Sequence, residues 1–405
     1  MAEPMIPAAR ATATSTNVPR PLRAATGALT TTIAVSVPVF LVGGLAVQIG
    51  DELDFSPAGL GLAVSAYFGA SALASIPAGA LVERYGSTLV SRCGIALSSA
   101  SLLGIAVAAH SLWCLVAILA LGAGANAAGQ LASNTSLARH VPARRQGLSF
   151  GVKQAAIPVS TLLAGAAVPA VALTLGWRWA FVLAAALAAG AIALVPSDAG
   201  EVRRTRGAGG ERATAALVVI GVAATLAAGA ANALGTFLVD AAVVRGIAPG
   251  PAGLALTLGS AVCIAARVGG GWQADLLPGR QVGIIAGLLA CGAVGLGLLA
   301  VPGTAALVVG VVLGFGLGWS WPGLMNFAVV RLHPQAPAAA TSITQTGVYA
   351  GGCLGPLGLG AVAAVAGYPV MWSVAAVAML LAAAFMVLGS VMLRRHAVSS
   401  LSGRL

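Results

Sequence analysis

Apolar stretches of about twenty residues recur along the whole chain, separated by short polar segments. About 20 apolar residues form a helix long enough to cross the roughly 30 Å hydrocarbon core of a bilayer. The stretches lack the apolar–polar alternation of barrel strands, so they predict helices. With 59% hydrophobic and 8% charged residues, the composition is that of an integral membrane protein. We predict an all-α integral membrane protein with twelve transmembrane helices, at residues 25–48, 58–81, 89–109, 111–139, 147–174, 177–195, 215–239, 252–272, 282–301, 304–330, 338–366 and 370–393.

Residues 197–214 form the longest polar segment between two predicted helices. The segment is rich in glycine and charged residues, which is the composition of a solvated linker. It predicts two six-helix bundles, with the chain divided into a flexible cytoplasmic tail (1–24), an N-terminal bundle (25–196), a cytoplasmic linker (197–214), a C-terminal bundle (215–394) and a second cytoplasmic tail (395–405).

Arginines concentrate in the loops on one side of the predicted helices. This side holds Arg10, Arg20, Arg23, Arg84, Arg92, Arg139, Arg144, Arg145, Arg203, Arg204, Arg206, Arg212, Arg267, Arg280, Arg331, Arg394, Arg395 and Arg404. The opposite side keeps Arg178 and Arg245. By the positive-inside rule, both termini are expected in the cytoplasm of a multi-pass protein in a bacterial plasma (inner) membrane. Because the arginines are dispersed among short loops, no nucleic-acid partner is expected.

The two halves of the chain repeat each other at an offset of about 192 residues. The sequence PAGL opens the second helix of each half, at residues 57–60 and 251–254. A second shared set lies in helices 4 and 10, where Gly122, Gly124, Asn134 and Arg139 recur as Gly314, Gly316, Asn326 and Arg331. Because the repeat keeps its direction, it predicts parallel six-helix halves related by an axis along the membrane normal.

A loop signature connects this architecture to a known family. The loop after helix 2 reads GALVERYGS at residues 79–87, which resembles the G-x-L-x-D-R-x-G-R signature of the major facilitator superfamily. A degenerate copy, GWQADLLPGR, occupies the matching place at residues 271–280. The resemblance covers essentially the whole chain and implies the fold of that superfamily and secondary transport by alternating access. It also implies a gating latch formed by Gly79, Glu83, Arg84 and Gly86 and, in the second copy, Gly271, Asp275 and Arg280.

The loop differs from the family signature at two positions, and it also has a second interpretation. Glu83 replaces the usual aspartate, and Ser87 replaces the final basic residue, so the latch is expected to be weaker than in the family. The alternative is a solvated loop whose Glu83 and Arg84 merely follow the positive-inside rule.

Polar side chains at membrane depth are costly, and they are therefore candidates for function. Lys153 lies roughly 10 Å inside helix 5 at 1.5 Å per residue, without an acid at the same depth. It either extends toward the headgroups or faces a central cavity, where it would attract an anion. The cavity hypothesis predicts a substrate site formed by Lys153, Gln154, Gln130, Asn126, Gln345 and Trp319. For the amides and Trp319, helix packing is the alternative.

Asp240, after predicted helix 7, is the candidate proton carrier, and an ion pair with Arg245 or Arg178 is its alternative. The resemblance implies a secondary transporter, with proton-coupled symport of a small organic anion as the leading hypothesis and proton-driven efflux of drugs or metabolites as the alternative. The sequence contains neither a metalloprotease motif nor an ATP-binding loop, so neither an enzyme nor an ATP-driven pump is expected. No metal or cofactor is expected, and the expected partners are a small-molecule substrate and the lipid bilayer around a monomer.

Overall fold

Every regular element in the described part of the chain is a helix. The structure is a computed structural model and describes residues 21–196, 214–276, 281–332 and 337–402. Eleven segments of it are long and apolar enough to cross a membrane. The last of these runs from Thr344 to Arg395 and bends sharply at Gly367, so it makes two crossings. The twelve crossings that the sequence predicts are therefore present.

The helices are named α1 to α12 in the order of the predicted ones. The first half contains α1 (Pro21–Gly44), α2 and α3 (57–85 and 87–108, joined at Gly86), α4 (Leu112–Gly122 and Gly124–His140), α5 (Gln146–Ala172) and α6 (Trp177–Leu194). The second half contains α7 (Thr214–Val244), α8 (Pro249–Leu276), α9 (Gln281–Ala300), α10 (Thr304–Leu313 and Pro322–Leu332, joined through 314–321), and α11 and α12 (337–366 and 368–402, joined at Gly367). The predicted linker, except Thr214, lies outside the described residues.

The first helix differs from its predicted bounds of 25–48. It begins at Pro21 and ends at Gly44, and a separate short helix covers Ala46–Leu53. Leu45 interrupts the run because its backbone leaves the helical region, with φ −101° and ψ 18°. We call the side of the molecule where α1 begins the terminal face and the opposite side the distal face.

The short helix is fixed to the distal ends of its neighbours by one carboxylate. The indole Nε1 of Trp177 and the guanidinium of Arg178 each donate to Glu52 over 2.6 Å. Arg178 also donates to the carbonyl oxygens of Ala106 and Ala109 at the end of α3. The bonds from Arg178 and then Trp177 lower the pKa of Glu52. This cluster ties α3, α6 and the short helix together.

The two halves approach each other closely where small residues face one another. A side chain on Gly43 of α1 would collide with a backbone carbonyl of α7, and one on Gly61 of α2 would collide with the Pro356 carbonyl of α11. In α5, Gly165 meets Gly253 of α8 equally closely. Glycine at these crossings therefore permits the close helix packing that is typical of membrane proteins.

Candidate functional site

A central cavity of about 60 Å³ lies between the halves. Eight helices line it, α1, α2, α4 and α5 from the first half and α7, α8, α10 and α11 from the second. The lining residues include Phe40, Tyr67, Phe68, Asn126, Gln130, Gln154, Asn232, Arg267, Trp319, Trp321, Asn326 and Gln345. Five of the six predicted substrate residues are in this lining, and the sixth, Lys153, bonds directly to one of them.

Lys153 turns into the protein rather than toward the membrane surface. Its side chain is 1% exposed, and its Nζ donates to the Oε1 atom of Gln130. Gln130 belongs to α4 and itself lines the cavity. A lysine that extended to the headgroups would be solvated at its end, so this arrangement favours the cavity alternative.

Arg267 is a second buried cation, and its grouping with the loop arginines was wrong. It is counted above with the arginines around the loop after helix 8, although it lies inside the predicted range 252–272; α8 continues to Leu276, and the Arg267 side chain is 2% exposed. Its guanidinium lies 5.7 Å from the ring centre of Trp319, within the range of cation–π attraction. The signal available in the sequence was that the predicted helix 252–272 already includes Arg267 and continues five residues past it.

The guanidinium of Arg267 donates hydrogen bonds to backbone carbonyls at two helix breaks. One guanidinium nitrogen donates to the Gln154 carbonyl over 2.5 Å, at the point in α5 where one helical segment ends before Ala155. Two others donate to the Trp319 carbonyl, at 3.0 and 2.6 Å, where the first part of α10 has ended. Carbonyls at helix breaks lack their usual partners inside the helix. Arg267 satisfies both and links α8 to the opposite half.

Several polar groups of the cavity have few partners or none. The Asn126 amide donates to the Ser71 hydroxyl over 3.2 Å, so it both lines the cavity and bonds between helices. The Gln154 Oε1 and Trp321 Nε1 atoms are buried without a hydrogen-bond partner. Trp321 is not among the predicted site residues, although Pro322 beside it is a signal that the helix can loosen there.

The charged side chains at the described cavity lining are positive. Among the described residues around the cavity there is one cation, Arg267, with Lys153 directly behind the lining, and there is no aspartate or glutamate. Ring contacts occupy part of the remaining wall, with Phe40 and Trp319 meeting edge to face at 5.8 Å. The cavity is therefore positive at the junction of α5, α8 and α10 and aromatic toward α1.

The second copy of the loop motif makes a bond between the halves on the terminal face. The Asp275 carboxylate at the end of α8 accepts the backbone amides of Gly147 and Leu148, at 3.0 and 2.9 Å, at the start of α5. An acid at a helix N-terminus is stabilised by the helix dipole and by these free amides. Gly271 packs against Gly147 at the same crossing.

The first copy of the motif is placed differently. Glu83 and Arg84 are exposed, and Arg84 lies over the ring of its neighbour Tyr85 at 5.3 Å. Gly86 makes the turn between α2 and α3 with φ +82°, a conformation that suits glycine, and a side chain on Gly79 would meet nothing within 4 Å. Arg280, from the second copy, lies outside the described residues.

Asp240 lies outside the cavity lining, near the distal end of α7. Its Oδ2 atom accepts the hydroxyl of Tyr368, at the start of α12. The two arginines considered as partners bond elsewhere, Arg178 to Glu52 and Arg245 to the Val301 carbonyl. The residue is thus a partly buried carboxylate whose described partner is a neutral phenol.

A family model identifies the family of the chain. A family model described as Major Facilitator Superfamily matches residues 25–356. A protein of Arabidopsis thaliana described as "Probable anion transporter 3, chloroplastic" is 30% identical over 142 residues, which are 35% of this chain and 28% of that protein. The chain thus spans only about a quarter of that relative's length.

The fold comparison points the same way. A crystal structure of the human organic anion transporter MFSD10 (TETRAN) superposes with a TM-score of 0.64 at 15% identity, covering 91% of this chain and 100% of that one. The family match covers most of the chain, and the solved structure shares its fold. The protein is a multi-pass helical membrane protein, and it belongs to the Major Facilitator Superfamily.

Proposed function

We propose that the protein is a secondary transporter that moves a small organic anion by alternating access. The observation that carries this proposal is the pair of buried cations, Lys153 and Arg267, at a central cavity whose described lining contains no acid. A buried charge without a counter-charge costs several kcal/mol, and an entering carboxylate would supply that counter-charge. Cavity and charge together favour an anionic substrate over a neutral or cationic one.

The present partners of the two cations favour exchange with an anion. Lys153 donates to an amide oxygen, and Arg267 donates to backbone carbonyls. A bond from a cation to a carboxylate adds a direct attraction between opposite charges that a bond to a neutral acceptor lacks. A carboxylate can therefore displace the amide and carbonyl partners without leaving either cation unpaired. The description of the Arabidopsis thaliana relative as a probable anion transporter is consistent with this substrate class.

Alternating access is supported by contacts between the halves on both faces. On the terminal face, Asp275 bonds to the start of α5. On the distal face, Gly61 and Gly165 pack against α11 and α8. A carrier exposes its site by separating one set of such contacts at a time, through rocking of one bundle against the other.

The efflux of drugs, which is part of the alternative function, has less support. Many drugs are cations, and a site for them would need a carboxylate as counter-charge. The described cavity lining offers none, and it holds a buried arginine instead. Export of an anionic metabolite stays within the proposal, because the same site can serve either direction of transport.

Proton coupling is the second part of the proposal, with Asp240 as the carrier of the proton. Its carboxylate is partly buried, and its bond to the Tyr368 hydroxyl can persist in either protonation state, because a phenol both donates and accepts. A carboxyl group in such surroundings can exchange a proton as the distal face opens and closes. This role makes the protein a proton symporter when the anion is imported.

Transport measurements on Lys153 variants test the anion site. In proteoliposomes, uptake of a panel of labelled carboxylates is compared for wild type, Lys153→Gln and Lys153→Arg. Removal of the charge is expected to lower uptake at least tenfold, because the loss of one charged partner costs about 1.5–3 kcal/mol. Arginine is expected to restore part of it.

The matched control is Arg145→Gln, which removes an exposed cation near the start of α5. It should leave uptake close to the wild-type rate. Full activity of Lys153→Gln would remove Lys153 from the transport path and would contradict the proposed anion site.

A further inference from the structure

The break in α10 leaves the ends of two helical segments beside the cavity. The first segment ends in the turn Gly314–Gly318, and the second begins at Pro322. Helix C-termini carry partial negative charge and N-termini partial positive charge. Arg267 binds the Trp319 carbonyl and so compensates the negative end. No acid in the described cavity lining compensates the positive end.

The positive end also holds hydrogen-bond donors without acceptors. Pro322 has no amide hydrogen, and the first backbone amide of the segment that finds a partner is that of Met325, which donates to the Trp321 carbonyl over 3.0 Å. The amides of Gly323 and Leu324 are therefore the free donors that every helix start presents. Beside them, the Trp321 side chain is 0% exposed, lines the cavity, and keeps its indole Nε1 without a partner.

An isolated buried N–H group is unfavourable, and it calls for an acceptor. The neighbouring charges show which kind of acceptor fits. Arg267 donates to the carbonyl of Trp319, two residues before Trp321 in the chain. The α5 segment that carries Lys153 packs against the second segment of α10. A side chain on Gly323 would lie 3.4 Å from the Gly151 Cα atom. Unpaired donors with two nearby cations suit an anionic oxygen ligand.

We propose that the carboxylate of the transported anion binds in the α10 break, where the Trp321 indole and the amides of Gly323 and Leu324 donate to it and Arg267 and Lys153 balance its charge. This inference rests on the proposed anion transport and adds the place and donors of the carboxylate. The body of the substrate then lies among the aromatic side chains of α1 and α2, of which Phe40 already contacts Trp319. The preferred substrates are carboxylates with an apolar or aromatic body.

Indole NMR on the purified full chain tests this binding mode. The protein contains seven tryptophans, so labelling of the indole nitrogens gives few resonances. The Trp321 resonance is identified as the one missing from Trp321→Phe or, should that variant not fold, by elimination with the other six single variants. Benzoate and succinate are the probes, and benzamide is the neutral analogue of benzoate.

Benzoate is expected to shift the Trp321 indole proton downfield, as a new bond to an anion does, whereas benzamide is not. Trp321→Phe keeps an aromatic ring but loses the donor, so benzoate affinity should fall about tenfold or more. Trp372→Phe is the matched control, because Trp372 is 1% exposed in α12 but outside the cavity lining, and its affinity should equal that of wild type.

The remaining outcomes separate the two proposals. If a probe binds in a manner that requires Lys153, while the Trp321 resonance stays in place and Trp321→Phe binds as wild type, the α10 site is wrong and anion transport stands. If neither benzoate nor succinate binds to the wild-type protein, or benzamide binds as well as benzoate, both proposals fail.

Discussion

At the scale of single residues, the site depends on side chains whose burial cannot be predicted from their position in the sequence alone. Lys153 was recognisable because it is the only lysine of the chain and lies in a long apolar run. Arg267 was not, because it lies only a few residues from the predicted end of its helix, where arginines usually belong to the loop. Whether such a residue is buried depends on how far the helix continues and on what packs against it, here the carbonyls of Gln154 and Trp319.

The residue-scale prediction concerns Asp240. With asparagine at this position the bond to Tyr368 can persist, but no proton can be carried. Asp240→Asn is therefore expected to abolish the stimulation of uptake by an inward proton gradient and to leave exchange of substrate across the membrane intact. Uptake with and without an imposed pH gradient measures both properties.

Asp54→Asn is the matched control, since Asp54 is an exposed acid on the same distal face. It should respond to the gradient as wild type does. A full gradient response in Asp240→Asn would exclude Asp240 as the proton carrier.

At the scale of elements, the helices were predictable, and the exact places of their breaks were not. An apolar run of about twenty residues specifies a membrane helix almost regardless of its details, so all twelve were found. The breaks after Gln154 and around Trp319 occur within such runs, and their signals in the sequence are single prolines, Pro158 and Pro322, which lack the amide hydrogen of a helical bond. They create the free carbonyls and amides on which the site depends.

The two copies of the loop motif also show how the sequence and the structure differ. The sequence favoured the first copy, with Glu83 and Arg84, because it matches the family signature better. In the structure the degenerate second copy makes the bond between halves, through Asp275. A consensus match measures likeness to relatives, whereas the bond requires a carboxylate opposite a free helix start. The role of Glu83 and Arg84 stays a prediction.

The element-scale prediction follows from this bond. Asp275→Asn removes the charge that holds the start of α5, so the terminal face is expected to open more often. Hydrogen bonds to a charged group contribute about 1.5–3 kcal/mol, which corresponds to a population shift of about tenfold or more. Spin labels at the exposed positions 144 and 273, in a cysteine-free background, should show a larger population at long distance.

Glu83→Gln serves as the comparison, because Glu83 is exposed. Its distance distribution should change less than that of Asp275→Asn. An unchanged distribution in Asp275→Asn, or a larger change in Glu83→Gln, would show that the second copy does not hold the terminal face closed.

At the scale of the whole molecule, two parallel six-helix halves surround one cavity, and the charge of that cavity is the basis of the functional account. The internal repeat predicted the architecture, because equal spacing without reversal fixes the relation between halves. It could not predict the site, since the positions that correspond to Lys153 and Arg267 in the opposite halves hold the uncharged residues Thr344 and Ser75. The cytoplasmic position of both termini remains a prediction from the arginine distribution.

Counterflow in proteoliposomes tests the central claim most directly. Vesicles loaded with unlabelled benzoate are placed in dilute labelled benzoate. In parallel experiments, benzamide or benzylamine replaces benzoate both inside and outside the vesicles. The account predicts a transient accumulation of label for benzoate alone, lost in Lys153→Gln, because a carrier exchanges only the anion that its two cations bind. Accumulation of benzylamine, or entry of benzoate without any overshoot, would contradict an alternating-access anion transporter.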